Sequence, residues 1–180
     1  MIKQYQDLEW LGLKPDESVF QNGPYGPYRQ TQRLPIYQKY VEQLLKAKKA
    51  YYCFCSPAEL AQEKAEYIQK TRSQNYQYSR KCLSLNEEQI ALFLQTKKEH
   101  LIRFQVLRQK SYQLNDLVRG KVVFQGQDIE DFVIYRSNGL PTFYLAVVID
   151  DYLMKITHVL RGEEHLTNTT KQLVLAEAFS

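Results

Sequence analysis

The sharpest chemistry in this chain sits in two short stretches, "YYCFC" and "YSRKC", which together hold all three cysteines, Cys53, Cys55 and Cys82. Two thiolates two positions apart in an extended segment project to the same side. They can begin a tetrahedral site, for which zinc takes a compact quartet of nitrogen and sulfur ligands. Spacing alone leaves the fourth ligand open. His100 and His158 lie far along the chain, Tyr78 is an unusual donor four residues before Cys82, and Ser84 is a poor one. Three buried free thiols are the competing reading.

A second candidate is Arg161, which ends the apolar run "KITHVL" and precedes "GEEHLTNTTKQ". Its planar fork of donors suits a carboxylate or a phosphate. The alternative is an ion pair with Asp150, Asp151, Glu163 or Glu164. His165 could stack on or hydrogen-bond a ligand, or simply cap a helix. No Ser/His/Asp or Cys/His nucleophile pattern can be assembled, and no glycine-rich phosphate loop occurs.

The elements that must position these residues follow from periodicity. Residues 2–13 read as a short amphipathic helix stopped by Gly12, and "NGPYGPYRQTQR" is loop chemistry presenting Tyr25, Tyr28, Arg29 and Gln30. A helix is expected over 31–48, a strand at "AYYCFC", and a capped helix opening at Ser56-Pro57 with Glu59. Another helix covers "SLNEEQIALFLQTKK", and strands are expected at 100–106, 120–126 and 131–137. "LPTFYLAVVIDDYLM" is continuous enough to be a strand buried on both faces, "KITHVLR" follows as a strand, and Thr167 or Asn168 caps the last helix. That order fits an α+β insertion leading into a parallel layer, which would place Arg161 at the carboxyl end of a strand beside a helix N-terminus.

Composition narrows the class. With 180 residues and 44% hydrophobic content the chain can form a core, and no apolar run approaches the roughly 18–20 residues of a membrane span. The N-terminus lacks the pattern of a secretory signal or a transit peptide. Three cysteines fit a reducing cytoplasm better than a disulfide framework. Between Lys39 and Lys81 nine Lys/Arg face four Glu, and six tyrosines are interspersed. Basic charge interleaved with rings suits nucleic acid, where phosphates take the charge and bases stack; a solvated helix face is the plainer reading.

Along "SNGLPTFYLAVVIDDYLMKITHVLRGEEHLTNTTKQ" the chain closely resembles glutamyl-tRNA synthetases, the class I enzymes that attach glutamate to tRNA. "DLEWLGLKPDE", "NGPYGPYRQTQR", "YQKYVEQLLKAKKAYYCFC", "IRFQV" and "DLVRGKVVFQGQDIEDFVIYRS" agree in the same order. The resemblance implies a Rossmann catalytic domain interrupted by an inserted domain that holds the tRNA acceptor end, so the fold class is α/β with a mixed α+β insertion. It divides the chain into 1–37, the end of the first Rossmann half, 38–136, the insertion, and 137–180, the start of the second half. It implies glutamate, ATP with Mg2+ and tRNA(Glu) as partners, in the cytoplasm and with no membrane. Arg161 would grip the glutamate carboxylate, with Phe143 and Val147 in the same pocket, and His165 would lie beside the adenosine of ATP. Tyr28, Arg29, Arg33 and Arg119 are the expected tRNA contacts.

Departures from the family pattern matter as much. The His-Ile-Gly-His-type and Lys-Met-Ser-Lys-type ATP motifs and the anticodon-binding domain do not occur in these 180 residues. Phe143 replaces a tyrosine that touches substrate, Tyr144 stands where Asn is common, and Tyr152 and Lys155 replace a histidine and a glycine. In the zinc-containing branch Cys53, Cys55 and Cys82 match ligands, but the fourth position is Ser84. The glutamyl-queuosine tRNA-Asp synthetases instead use a tyrosine four residues before the last cysteine, which is Tyr78 here and completes a zinc quartet. The resulting expectation is a truncated or split glutamate–tRNA ligase, inactive alone and completed by a chain supplying the missing catalytic halves. The alternatives are a non-catalytic acceptor-stem-binding module, or a fragment like the glutamyl-queuosine enzymes. In the truncated reading the apolar strand around Val147 and Val148 would lack neighbours and expose an edge.

Overall fold

The computed structural model describes residues 2–179, and residues 1–35 and 36–180 form two compact units. In the first unit α1 (Ile2–Trp10) ends where Gly12 takes a left-handed φ of +76°, and Leu13 N–H then donates to the Leu8 carbonyl at 2.9 Å. The Pro/Gly loop that follows is held by its own polar groups. Glu17 accepts from the Tyr28 hydroxyl and from Tyr25 N–H, while Arg33 Nη1 donates to the Pro27 carbonyl at 2.9 Å.

The second unit is built on a three-stranded sheet. Its strands are β1 (Ala50–Cys53), β2 (Leu101–Phe104) and β5 (Phe132–Tyr135), with β2 in the centre and both pairings antiparallel. A separate hairpin pairs β3 (Ser111–Asp116) with β4 (Gly120–Gln125). Helix α2 (Leu34–Lys46) buries Tyr37, Val41 and Leu44, the i, i+4, i+7 face of an amphipathic helix. Both α3 (Pro57–Thr71) and α4 (Glu87–Gln95) open with complete capping boxes, Ser56 with Glu59 and Asn86 with Gln89. Helices α5 (Phe143–Leu153) and α6 (Leu166–Ala176) pack on one another.

The structure corrects several expected elements. The apolar run around Val147 and Val148 is helical: Leu145, Ala146, Val148 and Ile149 are buried on one face, so no unpaired strand edge arises there. An apolar run of this length satisfies either period, and burial of a single face selects the helix. Residues 156–162 carry no strand, and Leu160 is 98% exposed. Every strand pairing among the described residues is antiparallel, so the expected parallel layer is absent from them. A strand needs a neighbour for its N–H and C=O groups, and 156–162 find none here. His165 occupies the N-cap position of α6, while Asn168 lies within the helix; the Thr167 side chain falls outside the described residues. Strand β3 was not foreseen, because only Tyr112 of its six residues is buried.

One buried carboxylate ties these pieces together. Asp131, just before β5, is 2% exposed. It accepts from the Tyr51 hydroxyl of β1 at 2.8 Å and from Val106 N–H at 2.9 Å, and it pairs with Arg80. Burial, then the Asp131 charge, pushes the Tyr51 hydroxyl far above the ordinary phenol range, so it stays a donor. Losing the carboxylate leaves the part-buried Arg80 without its counter-charge and the Val106 N–H unsatisfied in the interior. Asp131→Ala is therefore expected to cost about 3–5 kcal/mol in urea unfolding, against about 1–2 kcal/mol for Tyr51→Phe, which removes one hydrogen bond. Equal, small losses for both would show that the carboxylate is not the hub.

Candidate metal centre and substrate-facing residues

Strand alternation decides which side chains meet. On β1, Tyr51 and Cys53 share a face, and their cross-strand partners on β2 are Arg103 and Leu101. The opposite face carries Tyr52 and, beyond β1, Phe54, against which His100 packs at ring distances of 5.3 and 5.5 Å. His100 is thereby committed away from the sulfurs. After α3, the chain returns to the Cys53 face through Tyr78 and a left-handed Arg80 (φ 66°), and a 3-10 turn over Lys81–Ser84 delivers Cys82.

The three sulfurs lie within 4.8 Å of one another. Cys55 Sγ is 3.4 Å from Cys82 Sγ, and the Tyr78 hydroxyl oxygen is 3.5 Å from Cys53 Sγ and 3.2 Å from Cys55 Sγ. Zinc ligands at their usual bond lengths stand about 3.8 Å apart for a sulfur pair and about 3.5 Å apart for a sulfur–oxygen pair at the tetrahedral angle. These three edges lie within about 0.4 Å of those spans, and three of the four donors are soft sulfurs, so the residues fit zinc. Ser84 does not join them: it is exposed and its hydroxyl donates to the Lys81 carbonyl at 2.8 Å.

The electrostatics of the cluster follow from crowding. Hydrogen bonding from Cys82, with help from Tyr78 and Arg103 against burial, holds the Cys53 thiol well below the ordinary range. The hydrogen bond to Cys53 and burial drive Cys82 up, and burial likewise raises Cys55 and the Tyr78 phenol. One sulfur ionises readily and its neighbours then resist, as coupled thiols in contact do.

The other predicted residues are placed as follows. Arg161 is exposed in the connection between α5 and α6, close enough to Asp151 to oppose the rise that burial and Asp150 impose on that carboxyl. Phe143, 58% exposed, starts α5, and Val147 lies half-buried one turn on. His165 is exposed at the start of α6, its Nε2 3.7 Å from a Glu164 oxygen. Tyr144 reaches α6 through a 3.1 Å hydrogen bond to Asn168. Arg29 is exposed and Tyr28 half-buried, while Arg33 is 2% exposed and serves the loop carbonyls. Arg119 sits at the β3–β4 turn, its N–H bonded to Asp116, beside Leu117 and Val118, which are 89% and 94% exposed. Arg80, Arg103 and Asp131 were not foreseen. The signal for Arg103 and Asp131 was visible as a charge inside apolar strand sequence, "LIRF" and "EDFVIY"; Arg80, in "YSRKC", had none.

An antiparallel sheet clipped to a cysteine-bearing loop is thus followed by paired helices whose connection presents an arginine. The profile of the tRNA synthetases class I (E and Q), catalytic domain, matches residues 1–180, and the chain belongs to that family. Glutamate–tRNA ligase of Geobacillus stearothermophilus is 52% identical over 176 residues, 98% of this chain, and that of Mycoplasma mycoides subsp. mycoides SC is 49% identical over 179 residues. A glutamate tRNA ligase from Elizabethkingia meningosepticum, solved in complex with its amino acid, matches 97% of this chain with a TM-score of 0.87 at 40% identity. The chain spans 36% of the length of the Geobacillus protein and 36% of the Elizabethkingia chain.

Thiol chemistry reports on the packing directly. A thiolate reacts only where reagent can reach it, and Cys53 and Cys82 are 0% and 7% exposed whereas Cys55 is half-buried. With metal chelated, an aromatic disulfide reagent is expected to label Cys55 first, and Cys53 and Cys82 only as the fold opens. Fast labelling of all three thiols in the folded chain would contradict this packing.

Proposed function

We propose that this chain is the acceptor-binding and part-catalytic segment of a glutamate–tRNA ligase, in which ATP with Mg2+ activates glutamate before its transfer to the 3′-terminal ribose of tRNA(Glu). The observation that carries this reading is the likeness to glutamate–tRNA ligases along nearly the whole chain. Arg161 offers its fork to the glutamate carboxylate, with Phe143 and Val147 lining the same side, and His165 stands beside the adenosine. Residues 38–136 hold the acceptor end, with Arg119 at the hairpin turn and Tyr28 and Arg29 on the loop contributing contacts. Catalysis of this kind rests on positioning and on stabilising charge at the α-phosphate. The two ATP motifs that supply that charge stabilisation do not occur in these 180 residues, so the adenylate requires a chain carrying them. Three reduced thiols suit a reducing compartment, and the cytoplasm is part of the proposal. No helix among the described residues is long and apolar enough to cross a membrane.

The experiment is a salt-dependent titration with tRNA(Glu), run beside an aminoacylation assay with labelled glutamate and ATP. The 180-residue chain is expected to bind with a steep salt slope and to give no turnover alone. Arg119→Ala should lower the slope by about one, and Arg161→Ala should leave tRNA affinity unchanged. No tRNA binding at low salt would sink the acceptor-end assignment, and a large loss with Arg161→Ala would sink the carboxylate role.

The proposal also gives Cys53, Cys55, Cys82 and Tyr78 a zinc ion. Bound there, zinc supplies a closed, structural cross-link between the end of β1 and the segment after α3. Tyr78 brings the weakest donor, and the loop that carries it depends on Arg80 pairing with Asp131. Chelation is expected to lower the melting temperature, and Cys82→Ser should abolish stoichiometric zinc. A purified chain with no zinc and an unchanged melting temperature after chelation would favour three free thiols.

A further inference from the structure

Arg103 is a buried cation whose local partners do not account for its charge. It lies on the central strand of the sheet, directly across from Tyr51, and is only 9% exposed. Its Nη1 donates to the Asp131 backbone carbonyl at 3.1 Å, and its Nε is buried without a hydrogen-bond partner. Among the described residues no carboxylate stands within ion-pair distance of it; the Asp131 carboxylate is taken by Arg80, Tyr51 and Val106. Taking a guanidinium out of water costs several kcal/mol unless an opposite charge compensates. The groups nearest to supply one are the metal-site residues: the guanidinium carbon lies 4.4 Å from the centre of the Tyr78 ring, and Cys53 is on the same sheet face one cross-strand step away.

The charges of the cluster make the complementary demand. One divalent cation and three thiolates leave a single negative charge inside the protein, with the phenol of Tyr78 adding none while it keeps its proton. One guanidinium cancels that charge. Resting on the zinc assignment above, we infer that Arg103 is the charge-compensating and positioning residue of this site: its cation neutralises the thiolates through Cys53, and its guanidinium, over the Tyr78 ring, holds the fourth ligand against the sulfurs. The single carbonyl bond orients the fork without supplying charge. Groups of this kind around a metal site typically contribute 10- to 100-fold in metal affinity.

The test uses the full chain and two metals, zinc for affinity and cobalt for spectroscopy. Zinc affinity is measured by competition with a chromogenic chelator for wild type, Arg103→Met, which keeps volume without charge, and Arg103→Lys, which keeps charge without the plane. Arg103→Met is expected to bind zinc about 10- to 100-fold more weakly, with Arg103→Lys recovering most of the loss. In the cobalt-loaded forms, removing a cation beside Cys53 raises the sulfur donor level. The sulfur-to-cobalt charge-transfer band should therefore move to lower energy in Arg103→Met and stay near wild type in Arg103→Lys. A purely structural role would lower stability while leaving that band in place. If Arg103→Met does not fold, Arg103→Gln supplies the neutral comparison with the same expected direction. Neutral variants that bind zinc like wild type with an unmoved band would overturn the inference. A lysine variant as weak as the neutral ones would overturn the charge role as well. Wild-type chain that takes up no zinc in the same titration removes the zinc assignment itself, a result distinguishable from either of those.

Discussion

The Asp131 carboxylate accepts from three groups that come from separate parts of the chain: a tyrosine of β1, a backbone N–H just past β2, and the arginine of the loop after α3. Tyr51 and the Val106 N–H would otherwise be buried polar groups without a partner, and Arg80 a part-buried charge, so the three segments gain by converging on one acceptor. Arg80 gives the convergence its reach, since it also donates to the Val106 carbonyl at 2.8 Å and lies between Tyr78 and Cys82. Fixing Arg80 therefore fixes where a phenol and a thiol arrive against β1. The cysteine cluster is a consequence of this polar knot and of the strand period, which puts Cys53 and Arg103 on one face.

A division of labour runs through the second unit. The sheet and the loop after α3 form a polar and thiol-rich body, whereas α5, the connection after it and α6 carry Phe143, Val147, Arg161 and His165, the residues proposed to meet small ligands. The two parts join where Thr142 donates to strand carbonyls and where Tyr37 bonds both oxygens of Asp150 at 3.0 and 2.9 Å. Phe132 and Tyr144 meet edge to face at 5.7 Å across the same seam. A polar body joined to the helix pair through part-buried hydrogen bonds would suit the proposed need to keep the acceptor end and the amino acid in register.

Much of this was legible in the sequence, and the failures have physical causes. Ser56-Pro57 with Glu59 announced its helix, because capping is local and needs no tertiary partner. Spacing joined Cys53 with Cys55 and Cys82 and left the fourth donor open, and only the family resemblance pointed to Tyr78; the structure brings its hydroxyl to the sulfurs through a loop in which Arg80 is left-handed and paired with Asp131. Helix α5 was taken for a strand because Phe143–Leu153 is apolar enough to satisfy either period. The "KITHVLR" run has strand chemistry without a neighbouring strand among the described residues. Arg103 escaped notice because a lone arginine in a short apolar strand has no partner visible in one dimension.

X-ray absorption at the zinc edge of the purified chain tests the centre of this account most directly, since it reads ligand type and distance without relying on activity. The account predicts four-coordinate zinc with three sulfurs at about 2.3 Å and one oxygen at about 2.0–2.2 Å, the oxygen being lost or replaced in Tyr78→Phe. A shell of light atoms only, or two sulfurs with imidazole scattering, would place the metal elsewhere. It would leave the cluster as three thiols packed around a phenol.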